Sequence, residues 1–93
     1  MNPKIKELNA EGLFKAVLTL ETLEDCYSFF EDVCTLQEIK AMSQRYNVAE
    51  MLDRGCVYTE IVKETGASTA TISRVKRYGS EGYKRVFKRL KNK

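Results

Sequence analysis

The sequence predicts an all-α fold. Apolar residues recur at helical spacing in segment after segment, and no segment shows the alternating pattern of a half-buried strand. The one proline is Pro3, so no proline interrupts a helix further along. Ninety-three residues make one domain with a modest core, so a partner chain can matter to stability.

The first 55 residues contain three helical patterns joined by short connections. Apolar stripes mark these helices, at Leu13, Ala16, Val17 and Leu20; at Leu23, Cys26, Tyr27, Phe30 and Val33; and at Ile39, Met42, Tyr46, Ala49 and Leu52. Residues 22–25 resemble a capping box, residues 35–38 form a complete one, and Gly55 supplies a stop. The third helix therefore spans about five turns.

Three apolar residues, Phe14, Phe29 and Met51, lie off these stripes. Several helices thus carry more apolar surface than one small core uses, which predicts burial in a dimer. The alternative is that these residues are scattered exposed apolar side chains, which are common on protein surfaces. We assign residues 10–55 to dimerisation.

The stretch 58–77 predicts a helix-turn-helix, to which we assign residues 58–78. Gly66 can adopt the positive φ that ends a first helix, and Ser68 can cap a second. A turn of three residues that contains glycine lets two short helices cross steeply. We expect them to pack through the following apolar residues: Ile61, Val62, Ala67, Ile72 and Val75.

The second of these helices keeps a polar face by its 3.6-residue periodicity. That face consists of Thr69, Ala70, Ser73, Arg74 and Arg77. Short side chains near a helix N-terminus can approach base edges, and arginine can reach guanine or phosphate. An ordinary helical hairpin with a solvated face is the alternative.

Charge is divided unevenly along the chain. Residues 74–93 carry a net charge of +8, whereas residues 1–73 carry −5. Such an asymmetry indicates a polyanionic partner, although a solvated tail or a helix lying on an anionic membrane would share it. The helix at 80–91 also has an apolar stripe, at Tyr83, Val86, Phe87 and Leu90, which we assign to the core or an interface.

Composition argues against other classes of protein. The N-terminus does not resemble a signal peptide and no apolar run approaches the ~20 residues that span a bilayer, so we expect a cytoplasmic protein without membrane attachment. There is no histidine and no phosphate-binding glycine loop, which argues against an enzyme. We expect no cofactor and no metal, because Cys26, Cys34 and Cys56 are widely spaced; they should be reduced and mostly buried.

The order of three segments, residues 41–45, 49–55 and 66–74, resembles the Trp repressor superfamily, in particular its TrpR-like YerC/YecD type. The resemblance covers roughly residues 10–90 and implies a six-helix chain that interlaces with a second copy. Two recognition helices would then enter successive major grooves about 34 Å apart. Family contacts to DNA carry over onto Thr69, Ala70, Thr71 and Ser73.

The expected DNA-binding residues combine the polar face, the resemblance and the basic C-terminal helix. They are Tyr58, Ser68, Thr69, Ala70, Thr71, Ser73, Arg74, Arg77 and Lys84.

The resemblance also implies an effector pocket. The Trp repressor holds its amino-acid corepressor with two arginines, which match Arg45 and Arg74. The glycine that faces the indole ring is Val75 here, and a nearby serine position is Tyr78. We therefore expect no tryptophan binding; a smaller ligand remains possible, and both arginines have an alternative role as phosphate contacts.

The sequence accordingly predicts a homodimeric, sequence-specific regulator of transcription, a repressor, that binds double-stranded operator DNA without tryptophan as corepressor. The alternative is a non-enzymatic adaptor that binds a protein partner and whose helix-turn-helix is vestigial.

Overall fold

The computed structural model describes residues 2–77 and 81–93. These residues form a short 3₁₀ helix and six α-helices, with no strand among them, so the all-α expectation is confirmed. The 3₁₀ helix spans Pro3–Leu8. The α-helices are α1 (Glu11–Val17), α2 (Leu23–Val33), α3 (Leu36–Asp53), α4 (Tyr58–Thr65), α5 (Thr69–Arg77) and α6 (Glu81–Lys91).

The chain divides into two compact units within α3, one ending at Ile39 and the other beginning at Lys40. None of the described residues 2–39 is buried. The first unit thus holds the 3₁₀ helix, α1, α2 and the first turn of α3 without a core of its own. The assignment of residues 10–55 to dimerisation, and of residues 1–93 to a single domain, stays a prediction.

Side-chain caps set the starts of α2 and α3. The Thr22 hydroxyl accepts the Asp25 N–H at 3.0 Å. At α3 the capping box is reciprocal: Thr35 Oγ1 accepts the Glu38 N–H at 3.1 Å, and Glu38 Oε1 accepts the Thr35 N–H at 2.8 Å. Hydrogen bonding to the Glu38 carboxylate, from the backbone N–H of Thr35 first and from its side chain second, holds the pKa of Glu38 below its usual value. Both predicted helix starts are confirmed.

The second unit contains the core. Its buried residues come from the end of α3, from α4 and α5 and the turn between them, and from α6: Val48, Ala49, Met51, Ile61, Ala67, Ile72, Val75 and Phe87. The prediction that Met51 lies off the core face is wrong. It is 7% exposed, because α3 turns the side of Val48 and Met51 towards the helix-turn-helix.

Aromatic side chains attach α6 to α3 within this unit. The Phe87 ring lies 5.7 Å from that of Tyr46 and stacks on that of Tyr83 at 6.0 Å. Such ring pairs add to the energy of burial. The predicted stripe on α6 is therefore confirmed in part, since Val86 and Leu90 remain 44% and 51% exposed.

Two further expectations concern the cysteines and membrane-spanning helices. The three cysteines are free, and each is half-buried, so the expectation of reduced, mostly buried thiols is confirmed in part. No described helix is long and apolar enough to cross a membrane.

Candidate nucleic-acid interface

The turn between α4 and α5 has the predicted length and conformation. Gly66 ends α4 with φ 71° and ψ 5°, a left-handed conformation that glycine adopts without the steric cost of a Cβ atom. Residues 66–68 separate the two helices. The Ser68 hydroxyl accepts the Thr71 N–H at 3.1 Å and thereby caps α5.

The predicted packing of α4 on α5 is also present. Ile61 and Ile72 are completely buried, Ala67 in the turn is 2% exposed, and Val75 is 9% exposed. Val62 is half-buried against the same cluster. Because these residues occupy one side of α5, the opposite side is left to solvent.

Most of the predicted DNA-binding residues lie on this solvent side. Thr69, Ala70, Ser73, Arg74 and Arg77 are exposed, and we call this set the α5 polar face. Ser68 is exposed at its N-terminal end.

Thr71 differs from these residues, because it is half-buried. Its Oγ1 atom accepts a hydrogen bond from the Ser68 hydroxyl at 3.1 Å. A hydroxyl group that accepts one bond keeps its own hydrogen for donation. The contact therefore fixes the position of the Thr71 hydroxyl beside Ser68.

Tyr58 and Lys84 lie away from the α5 polar face. Tyr58 is half-buried at the start of α4, and the Lys76 ammonium lies 5.8 Å from the centre of its ring. Lys84 is exposed on α6. These two residues and Lys76 share a cleft of about 440 Å³, whose apolar floor includes Val75 and Phe87.

A hydrogen-bonded support under the turn was missed by sequence reasoning. Gln44 on α3 donates from Nε2 to the Thr65 carbonyl at 3.1 Å, and Thr65 Oγ1 accepts the Ala67 N–H at 3.1 Å. The Thr65 hydroxyl also donates to the Ile61 carbonyl at 2.7 Å. The threonine directly before the helix-ending Gly66 was a local signal from which the hydrogen bonds of Thr65 could have been expected. The Gln44 contact spans 21 residues and had no such signal.

The predicted effector residues meet at a second cleft, between α3 and α5, of about 430 Å³. We call it the α3–α5 cleft; its lining consists of Ala41, Gln44, Arg45, Thr71, Arg74, Val75 and Tyr83. Arg45, Arg74 and Val75 are thus brought together as expected. Tyr78, the remaining member of the predicted pocket, lies outside the described residues.

The cysteine nearest to these clefts is not activated. Hydrogen bonding to Glu60, burial and the negative charge of that carboxylate all raise the pKa of the Cys56 thiol, against a smaller opposite effect of Arg54. Among the described residues, no group of three His, Cys, Asp or Glu side chains is placed to hold a metal ion.

The fold and this interface define a helix-turn-helix protein of the all-α class. The sequence model of the Trp repressor protein family matches residues 8–91, and the chain belongs to that family. The uncharacterized protein YerC of Bacillus subtilis (strain 168) is 48% identical over 91 residues, which cover 95% of this chain and 88% of the relative.

Two solved structures share the fold. A TrpR-like protein from Eubacterium eligens is 53% identical, with a TM-score of 0.87 over 96% of this chain and 95% of its own. A candidate Trp repressor from Staphylococcus aureus is 47% identical, with a TM-score of 0.88 over 95% of this chain and 94% of its own.

Proposed function

We propose that this protein is a sequence-specific regulator of transcription, a repressor, that binds double-stranded DNA as a homodimer and does not use tryptophan as corepressor. The observation that carries the proposal is the α5 polar face. Ile72 and Val75 anchor one side of α5 in the core and leave short polar side chains exposed on the other. Membership of the Trp repressor family supports the same class of function.

Base reading belongs to the first turns of α5. Thr69 and Ser73 present hydroxyl groups, Ala70 presents a methyl group, and Thr71 presents a hydroxyl oriented by Ser68. Hydroxyl groups can donate to or accept from base edges, and a methyl group suits the thymine methyl. Arg74 and Arg77, further along α5, provide charge for guanine or phosphate.

Dimerisation would cover the apolar surface of the first unit. Leu18, Leu23 and Leu36 are 83%, 79% and 78% exposed in the single chain. At roughly 25 cal/mol per Å² of apolar surface removed from water, covering such side chains stabilises an assembly considerably. A twofold dimer would present two copies of α5 to one duplex, at half-sites about one helical turn apart.

Tryptophan is excluded from the proposal because of Val75. The side chain is 9% exposed and forms part of the floor of the α3–α5 cleft, where the family places a glycine against the indole ring. Arg45 and Arg74 line the same cleft. Their alternative role is to contact phosphates of the DNA backbone. Operator binding is then constitutive with respect to tryptophan.

In vitro selection from a random duplex pool tests the function directly. We expect a pseudo-palindromic site with two half-sites 10–10.5 base pairs apart, or a multiple of that distance, bound with an affinity that falls steeply with salt. Absence of binding even at low salt would reject the proposal and favour a protein-interaction adaptor.

Substitutions then separate base reading from phosphate contact. Thr69→Ala and Thr71→Ala should each lower the preference for the selected site over random DNA by about 1–3 kcal/mol, because a contact to a base edge stabilises binding to the selected sequence and not to random DNA. Lys84→Ala should weaken both DNAs alike. Titration of the two duplexes with each variant is the measurement; equal losses on both for the threonine variants would contradict a base-reading role.

A further inference from the structure

Helix α6 has two faces, and the fold uses one of them. Phe87 is 7% exposed, its ring stacks on that of Tyr83, and it also contacts the ring of Tyr46 on α3. This side of α6 is committed to the core of the second unit.

Three cations lie on the other side. Arg85, Lys88 and Arg89 fall within one helical turn, roughly opposite Phe87 and Leu90 by a 100° step per residue, and all three are exposed. We call this set the α6 cationic face.

Within the part of the chain that the structure describes, ion pairing hardly uses these charges. Arg85 pairs with Glu81 at 3.1 Å, but both side chains are about 70% exposed, so water screens the pair strongly. Lys88 and Arg89 form no ion pair with any residue of 2–77 or 81–93. Like charges at spacings of three and four residues also destabilise a helix slightly. Lys88 and Arg89 lie in the last turn of α6, where the helix dipole offsets part of this repulsion, and a partner of opposite charge would offset more of it.

The α6 cationic face is separate from the α5 polar face. Neighbouring cations on α6 are directed elsewhere: Lys84 lines the cleft that it shares with Lys76, and Lys91 pairs with Asp53 at 3.4 Å. The three residues of the face therefore form a surface of their own, on a different helix from the base-reading residues.

We propose that the α6 cationic face binds the phosphate backbone of duplex DNA outside the base pairs that α5 reads. The inference deepens the proposed function and rests on it for the identity of the polyanion. Arg85 and Arg89 are about 6 Å apart along the helix axis, and phosphates follow each strand at about 3.4 Å of axial rise, so the face can neutralise about two phosphates. Because α6 belongs to the same compact unit as α5, the backbone is that of the sequence flanking the operator.

A lipid surface fits the face less well. An interfacial helix inserts its apolar side among acyl chains. On α6 that side includes Tyr83 and Phe87, which pack on the core, so only Val86 and Leu90 among its apolar residues are exposed. A phosphate backbone needs no such insertion.

The experiment compares the wild type with the triple variant Arg85→Gln/Lys88→Gln/Arg89→Gln. Glutamine keeps good helix propensity, and circular dichroism checks the fold. The control Lys6→Gln/Lys15→Gln/Lys40→Gln removes three exposed charges from the first 40 residues and changes the net charge equally. Affinity is measured from 50 to 200 mM salt for the selected site alone and for the same site with ten flanking base pairs on each side.

For flanking contacts, the triple variant should lose a slope of about 1.8 in log K against log salt on the long duplex only, and the control should not. The ratio of wild-type affinity to variant affinity is then about tenfold larger at 50 mM salt than at 200 mM salt. The preference for the selected site should stay unchanged. If the wild type instead joins two differently labelled duplexes in an energy-transfer assay and the triple variant does not, the face binds a second duplex and the assignment to flanking sequence is overturned.

A triple variant that matches the control on both duplexes would overturn the inference. So would loss of binding to phosphatidylserine vesicles in the triple variant without any loss on DNA. The proposed function can fail on its own. A wild type without sequence preference would reject the sequence-specific regulator. If the salt slope on random DNA is nevertheless smaller for the triple variant than for that wild type, phosphate binding by α6 is supported.

Discussion

Val75 has two roles that a sequence pattern cannot separate. It belongs to the buried core of the second unit, and it also lies on the floor of the α3–α5 cleft. The bulk of the side chain predicts that an indole ring is excluded. The cleft of about 430 Å³ that remains beside it keeps Arg45 and Arg74 at its edge.

Each role has its own measurement: tryptophan titration of the wild type tests ring exclusion, and the stability of Val75→Gly tests core packing. We expect the wild type to show no saturable micromolar binding of tryptophan by calorimetry. The variant should lose roughly 2–4 kcal/mol of unfolding free energy, from the lost burial, the cavity and the cost of glycine in a helix. Denaturant titration measures this loss.

Val86→Gly is the matched control, because Val86 is also helical but 44% exposed. It should cost about 1 kcal/mol at most, the helix-propensity part alone. Similar losses of unfolding free energy for the two variants would show that Val75 is not part of the core. Tryptophan binding by the wild type would contradict the interpretation that Val75 excludes the indole ring.

At the scale of elements, the turn between α4 and α5 depends on one backbone conformation. Gly66 has a positive φ, whereas Gly82 lies inside α6 and has no positive φ. A Cβ atom added at Gly66 would lie 4.0 Å from Gln44 Nε2, and one added at Gly82 would meet nothing within 4 Å. Crowding is therefore absent at both positions, and only the backbone differs.

Gly66→Ala and Gly82→Ala should change stability in opposite directions. The first should destabilise by about 1–2 kcal/mol, because alanine in the left-handed region brings its Cβ close to the following carbonyl oxygen. The second should stabilise by up to about 1 kcal/mol through helix propensity. Thermal and urea unfolding of both variants measure this; a stabilising Gly66→Ala would contradict the described turn.

For the whole molecule, the two units differ in how much apolar surface they bury. The described part of the second unit has eight buried hydrophobic residues, whereas that of the first has none. Leu18 and Leu23 stand out among the exposed side chains. The proposed homodimer provides the missing burial.

Leu18→Glu/Leu23→Glu tests this at the level of the assembly. In a monomer, substitutions at such exposed positions change stability by no more than about 0.5 kcal/mol each. In a dimer that buries them, the variant should dissociate and unfold at a lower temperature. Sedimentation and melting at several protein concentrations are the measurements, because the melting temperature of an obligate dimer rises with concentration.

Lys15→Glu is the control, since Lys15 is an exposed residue of the same region. It should leave both readouts near those of the wild type. Equal behaviour of the leucine variant and the wild type in sedimentation would argue that these leucines do not form the interface.

How far the sequence predicts the fold depends on how local each signal is. Gly66, Ser68 and the Thr35–Glu38 capping box act within four residues, so the turn and the helix starts were predicted correctly. The polar side of α5 followed from periodicity, because its apolar residues occupy a single stripe. These features are determined by the sequence itself.

Only the tertiary structure decided which side of α3 forms the core. The stripe through Tyr46, Ala49 and Leu52 was expected there and is confirmed in part, since Ala49 is buried and the other two pack against the core. Val48 and Met51, off that stripe, are buried as well, whereas Met42 is 37% exposed. Apolar residues surround α3 on several sides, so its periodicity leaves the choice to whichever helices pack against it. The Gln44 support under the turn and the gathering of Arg45 with Arg74 in one cleft have the same origin, since each joins residues more than twenty positions apart.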